Sequence, residues 1–97
     1  MSAYLIVRLK ITDEDKIAKY REITPPILEK YKGKFIARDS NVTTLEGKKE
    51  SRRVVIIEFP SMVEAKGFYH STEYQEAIKL RESGAEVEFI AVEGVEV

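Results

Sequence analysis

Two segments, "AYLIVRLKI" from Ala3 to Ile11 and "RRVVIIEF" from Arg52 to Phe59, carry apolar residues on both of their alternating faces. Side chains alternate along a strand, so a strand with one side in water shows one apolar set and one polar set. In the first segment Leu5, Val7, Leu9 and Ile11 fall together, but Ile6 joins Tyr4, Arg8 and Lys10 on the other face. In the second, Val54 to Ile57 is an unbroken apolar run. Both segments therefore belong at the centre of a sheet, and the rest of the chain must be arranged around them.

The remaining elements fit that arrangement. Thr12 is placed to cap a helix, with Asp15 three residues on in a loose capping box. A stripe of Ile17, Tyr20, Ile27 and Tyr31 continues it, but "TPP" falls inside the stripe. Proline removes a backbone donor and biases the residue before it out of the helical region. The spacing thus predicts a helix, a break at Thr24, and a second helical piece with Gly33 as the C′ residue. "KFIARD" reads as a second strand, joined to the third by a polar hairpin loop around "LEGKKES". Ser61 with Glu64, and Thr72 with Gln75, start two successive helical pieces that meet near His70 and Ser71. "EVEFIAVEG" closes the chain as a strand. The order is βαββαβ, an α+β ferredoxin-like unit spanning residues 1–97 as one domain. Short right-handed connections give a four-stranded antiparallel sheet, order 4-1-3-2, with the helices on one face.

Helices cover one face only. Leu5, Val7, Leu9, Val55, Ile57, Phe59, Val87, Phe89 and Ala91 suit the covered side. The other is expected to carry Tyr4, Ile6, Arg8, Ile36, Arg38, Val54, Ile56, Glu58, Glu88, Ile90 and Val92. Its centre is too apolar to be left in water, so a second copy is expected to cover it. A homodimer with facing sheets would enclose an apolar space with ionisable groups at its ends. Arg8, Arg38 and Arg52 gather toward one edge with Glu86 and Glu88, either as an anion site or as salt bridges at the rim. Glu58 and Tyr4 share the opposite end, where a carboxylate in an apolar cleft is a candidate acid or base.

On the helices, Ala65, Phe68 and Tyr69, then Tyr74, Ala77, Ile78 and Arg81, repeat at the spacing of one buried face, so these aromatics build core. His70, the only histidine, sits at the junction and is a second candidate for proton transfer. With one histidine and no cysteine, no metal site is expected, and no phosphate-binding or nucleophile-elbow motif is present. A net charge of −1 with interleaved signs argues against nucleic acid. No apolar run reaches the roughly 20 residues that cross a bilayer, and "MSAYLIVRLKI" lacks the features of a signal peptide. A cytoplasmic location is the expectation, and the absence of cysteine agrees with it.

The segment "EFPSMVEAKGFYHSTEYQEAIKLR" resembles the family catalogued as domain of unknown function 1330, whose pattern runs "EFPS", Ala, aromatic-Tyr, "S-x-EYQ", Ala and "LR". Glu58, Phe59, Pro60, Ser61, Ala65, Tyr69, Ser71, Tyr74, Gln75 and Arg81 are the matching positions, and "KYKGKFIAR", "LEG" and "VEG" extend the likeness. Phe68 stands where the family usually has Trp, and "ARDS" replaces an Arg-Gly-Gly turn. The resemblance implies the dimeric α+β barrel superfamily, which holds cofactor-independent monooxygenases and isomerases, haem enzymes and effector-binding proteins.

Two readings follow. The first is a homodimer that binds a small organic acid or aromatic compound and acts on it, if at all, without a cofactor. In that reading Arg38 or Arg81 anchors an anion, Glu58 is the acid or base, Tyr74 or His70 is a hydrogen-bond partner, and Tyr4 and Arg8 are secondary candidates. The second is a structural or regulatory dimer in which Tyr69, Tyr74 and Arg81 only fix helix packing.

Overall fold

The computed structural model describes residues 1–39 and 41–95. The elements follow the expected order: β1 (Ala3–Ile11), α1 (Glu14–Lys30), β2 (Lys34–Asp39), β3 (Arg53–Phe59), α2 (Met62–His70), α3 (Thr72–Arg81) and β4 (Ala85–Glu93). The four strands form one antiparallel sheet in the order β2-β3-β1-β4, so the two strands with two apolar faces are the central pair. None of the described helices is long and apolar enough to cross a membrane.

The core lies between the sheet and its helical layer. Ala3, Leu5, Val7, Val55, Ile57 and Phe59 rise from the strands to meet Leu28, Ala65, Phe68, Tyr74 and Ala77. The opposite face has no cover. Across it runs a row of three isoleucines, Ile56 beside Ile6 beside Ile90, on adjacent strands.

In the helices and at their ends, local structure departs from expectation at four points. The cap of α1 is Asp13, whose carboxylate accepts from the amides of Asp15 and Lys16 at 3.1 and 3.4 Å. A carboxylate there meets two free amides and places negative charge at the positive helix end. Thr12 instead donates its amide to the Gly84 carbonyl, 2.9 Å away. Secondly, α1 runs unbroken through Pro25 and Pro26. The carbonyls that lose their donors belong to Arg21 and Glu22, both exposed, where water can replace the missing bonds. Thr24 donates its hydroxyl to the Tyr20 carbonyl at 2.7 Å, and the buried side chains of Thr24 and Leu28 hold the helix down on both sides of the prolines.

Thirdly, the cap of α3 is Ser71 rather than Thr72. Its hydroxyl accepts from the Tyr74 amide at 3.1 Å and donates to the Phe68 carbonyl at 2.8 Å, closing α2 and opening α3 with one group. Gln75 reaches back to the Tyr69 carbonyl. Ser61 caps α2 as expected. Fourthly, the left-handed position after α1 is filled by Lys32, φ 65°, and Gly33 follows it. The amides of Lys32 and Gly33 bond the carbonyls of Glu29 and Leu28, the paired pattern of a Schellman ending. Gly33 is required for a different reason. A Cβ there would lie 2.6 Å from the Phe59 ring and 2.9 Å from Leu28 Cγ, both deep in the core.

Adjacent substitutions should therefore have opposite signs. Gly33→Ala is expected to destabilise by about 1–3 kcal/mol through overpacking. Lys32→Gly is expected to stabilise by about 1 kcal/mol through relief of the left-handed backbone. Urea unfolding of both variants checks this, and equal signs would contradict it.

Candidate ligand-binding cavity

α1 packs chiefly on α3 rather than directly on the strands. A cavity of about 290 Å³ remains between α1, α3 and the helical side of the sheet. Val7, Leu9, Val55, Ile57, Val87 and Phe89 make its floor, and Thr24 and Pro25 lie on the α1 side. Among the described residues, its polar lining adds to Thr24 the phenols Tyr20 and Tyr74 and four arginines, Arg21, Arg38, Arg53 and Arg81.

Tyr74, in the first turn of α3, is fully buried, and its hydroxyl lies 2.5 Å from that of Tyr20 on α1. Either phenol can be the donor, which leaves the pair one hydrogen to offer outward. Burial pushes the Tyr74 phenol well above its ordinary value, and Tyr20 beside it pushes in the same direction. Tyr74 is therefore a neutral hydrogen-bond donor rather than a base.

Arg81 lies two turns after Tyr74 on the same helix. Its guanidinium stands 5.5 Å from the centre of the Tyr20 ring and 5.8 Å from that of Phe89. Burial alone would lower its pKa, but the phenols of Tyr74 and Tyr20 more than offset this, and the group stays charged. Its Nε is buried with no hydrogen-bond partner. Arg53 repeats the situation from the strand side. It precedes Val55, Ile57 and Phe59 on their face of β3, pairs across to Leu9, and has a buried Nε without a partner.

Arg38 reaches the cavity through an irregularity in β2. The register with β3 shifts at Ile36, so that Phe35 faces Ile57 while Ala37 faces Ile56 and Arg38 faces Val55. The extra residue inverts the alternation, a bulge's usual effect. Arg38, expected on the open face, thereby joins the helical side, where its guanidinium lies 4.3 Å from the centre of the Phe35 ring.

The other candidates lie elsewhere. Glu58 is on the open face, where it accepts from the Tyr4 hydroxyl at 3.2 Å and meets Lys34 at 3.4 Å. Arg8 pairs with Glu50 at 3.2 Å, and Arg52 bridges Glu50 and Glu88. These groups form the salt-bridged rim, without Arg38 and with Glu50 added from the loop. His70 is exposed at the end of α2, edge-on to Tyr69, and borders a second hollow of about 240 Å³ against β4 with Lys66. The cavity thus brings together Arg38, Tyr74 and Arg81 and leaves out Glu58, Tyr4, Arg8 and His70. Arg53, Arg21 and Tyr20 were not anticipated. For Arg53 the signal was available, because the alternation of Phe59, Ile57 and Val55 extends back to it. Among the described residues no three acidic or imidazole groups cluster as a metal site would require.

The model of the family described as Domain of unknown function (DUF1330) matches residues 2–95. The chain belongs to that family. No curated protein sequence matches it. Among solved structures, a protein of unknown function from Rhodopseudomonas palustris, RPA0582, superposes with a TM-score of 0.77 at 18% identity, covering 99% of this chain and 84% of that one. A dimeric ferredoxin-like protein of unknown function from Jannaschia sp. CCS1 gives 0.73 at 12%, covering 97% of this chain and 100% of that one. SnoaB, a cofactor-independent oxygenase from Streptomyces nogalater, gives 0.67 at 9%, covering 99% and 95%. At these identities the likeness establishes the ferredoxin-like fold and nothing more.

The rim yields a pH prediction. Hydrogen bonds from Arg52, chiefly, hold the Glu50 carboxyl at about 2, below its ordinary 4.5. A depressed folded-state pKa contributes stability that is present above the unfolded value and lost as pH falls. The stability difference between the native chain and Glu50→Gln should therefore shrink between about pH 4.5 and pH 2. Denaturant titrations at several pH values test it, and a gap independent of pH would refute it.

Proposed function

We propose that this protein binds a small apolar or aromatic carboxylic acid in the cavity between α1 and the sheet. The observation that carries this reading is the pair of buried, unpartnered Nε groups of Arg53 and Arg81 beside an apolar floor. An ionised donor without an acceptor in a partly dry site is costly, and a carboxylate satisfies it with charge-assisted bonds. The Tyr20–Tyr74 pair supplies a further donor. The volume is at the small end of ligand pockets, which start at roughly 300 Å³.

Catalysis is the further step. SnoaB is described as a cofactor-independent oxygenase, and it shares the fold. Among the described residues lining this cavity there is no carboxylate or imidazole, and the hydroxyl groups beside the arginines are the phenols of Tyr20 and Tyr74. Any reaction here would therefore use Tyr20 or Tyr74 as a proton donor. Binding is what the geometry supports best.

The working unit in this reading is a homodimer in the cytoplasm. The neighbour from Jannaschia is described as dimeric, and so is a ferredoxin-like protein from Bacteroides fragilis. The uncovered row of Ile56, Ile6 and Ile90 gives this chain a surface for a second copy. The cavity lies on the other side of the sheet from that surface, so ligand and partner occupy opposite faces.

Two measurements test these points. Calorimetry and thermal shift with benzoate and phenylacetate, against benzamide as a neutral analogue, should show binding by the acids alone. Arg53→Gln and Arg81→Gln should each weaken it by about ten- to a hundredfold, in line with the roughly 1.5–3 kcal/mol of a charged hydrogen bond. Silence across acids of this size would leave the structural or regulatory dimer as the better account. Separately, Ile90→Lys alters a side chain that is 51% exposed in the protomer, and should shift the mass measured by light scattering from dimer to monomer without unfolding. A mass unchanged by that variant would exclude this face as the interface.

A further inference from the structure

We infer that the ligand carries two anionic groups, one at each end of an apolar or aromatic body. The inference rests on the binding reading above and names the ligand class more narrowly. It begins from how the chain disposes of its arginines. Arg8 and Arg52 are bridged by Glu50 and Glu88 on the open side, and Arg21 pairs with Glu14 at 3.2 Å. Among the described residues, Arg38, Arg53 and Arg81 have no carboxylate partner, and all three line the cavity.

Their placement separates them into two ends. One row of residues crosses the helical side of the sheet from edge to edge: Arg38 on β2, Val55 on β3, Val7 on β1 and Phe89 on β4. Arg81 stands over the last of these. Three interstrand steps separate the outer members, roughly 14 Å at about 4.8 Å each. Arg53 starts β3, two residues before Val55. Val55 is the cross-strand partner of Arg38, so Arg53 lies one strand from Arg38 and two strands from Phe89.

A single carboxylate offers two oxygens and is satisfied by one bidentate guanidinium and a neighbouring donor. Arg81 and the phenols already make up that set, and Arg53 stands between the two ends, nearer Arg38. Arg38, at the far edge and folded onto Phe35, is left for a second anion. Between the two ends the floor is valine, which suits a ring or chain and not a third charge.

The test compares benzoate, terephthalate and naphthalene-2,6-dicarboxylate with phthalate, which has two charges on adjacent carbons. Calorimetry should find the two end-to-end dianions at least tenfold tighter than benzoate, and phthalate close to benzoate. Arg38→Gln should reduce the ratio of terephthalate to benzoate affinity to near one, and circular dichroism would confirm that this exposed substitution leaves the fold intact. Benzoate binding with no gain for either extended dianion would overturn the inference and leave the monoanion reading standing. So would a gain shared equally by phthalate, or a ratio unmoved by Arg38→Gln. If no acid binds at all, both fall together.

Discussion

The phenol pair of Tyr20 and Tyr74 governs the geometry of this molecule's interior. It ties α1 to α3 at 2.5 Å and is surrounded by the rings of Phe68, Tyr69 and Phe89. A bond of that kind, partly shielded from water, fixes both helices in register, because breaking it strands two hydroxyls. With α1 held to α3, its middle stands off the strands and the space beneath it stays open. Arg81 is placed by the same helix that carries Tyr74, two turns on. One interaction therefore sets the roof of the cavity, the position of one of its cations and the neutral donor between them.

The sheet divides two kinds of surface. On the open side, these acids meet their partners within the chain: Glu58 is paired with Lys34 and accepts from Tyr4, and Glu50 is paired with Arg8 and Arg52. Such pairing leaves the central isoleucines as the dominant feature, which suits contact with another copy. On the helical side the balance is reversed. Guanidinium groups border apolar residues with no acid among the described lining. Salt bridges at a rim contribute little to stability, whereas unpaired donors beside a cavity are costly to retain unless something binds there.

The architecture could be read from alternation alone, since a period of two is a local property. Leu5, Val7, Val55 and Ile57 reach the core where their parity places them, and the same parity carries Arg53 to the cavity. The reading failed where one residue interrupts the period. A single shift at Ile36 turns Arg38 from one face to the other, and "KFIARD" contains no glycine or proline to announce it. It failed again at Pro25 and Pro26, where local rules oppose a helix but burial of Thr24 and Leu28 outweighs them. At Lys32 and Gly33 the two residues exchange expected roles, because the ring of Phe59 leaves no room for a side chain at the second position.

The sequence by itself determined the strands, their order, the family and the two unequal faces of the sheet. Each of these depends on patterns confined to short stretches of chain, which the pleat and the helical turn translate directly into direction. Only the tertiary structure decided which polar groups share a site. Tyr20 and Tyr74 are 54 residues apart, and no local pattern records that their hydroxyls meet. Glu58 and Arg81 belong to one recognisable motif yet lie on opposite sides of the sheet. Whether a side chain lines the cavity depends on how α1 stacks on α3 and where β2 bulges. Those are packing solutions reached by the whole chain, where burial far from each residue outweighs its own local preference.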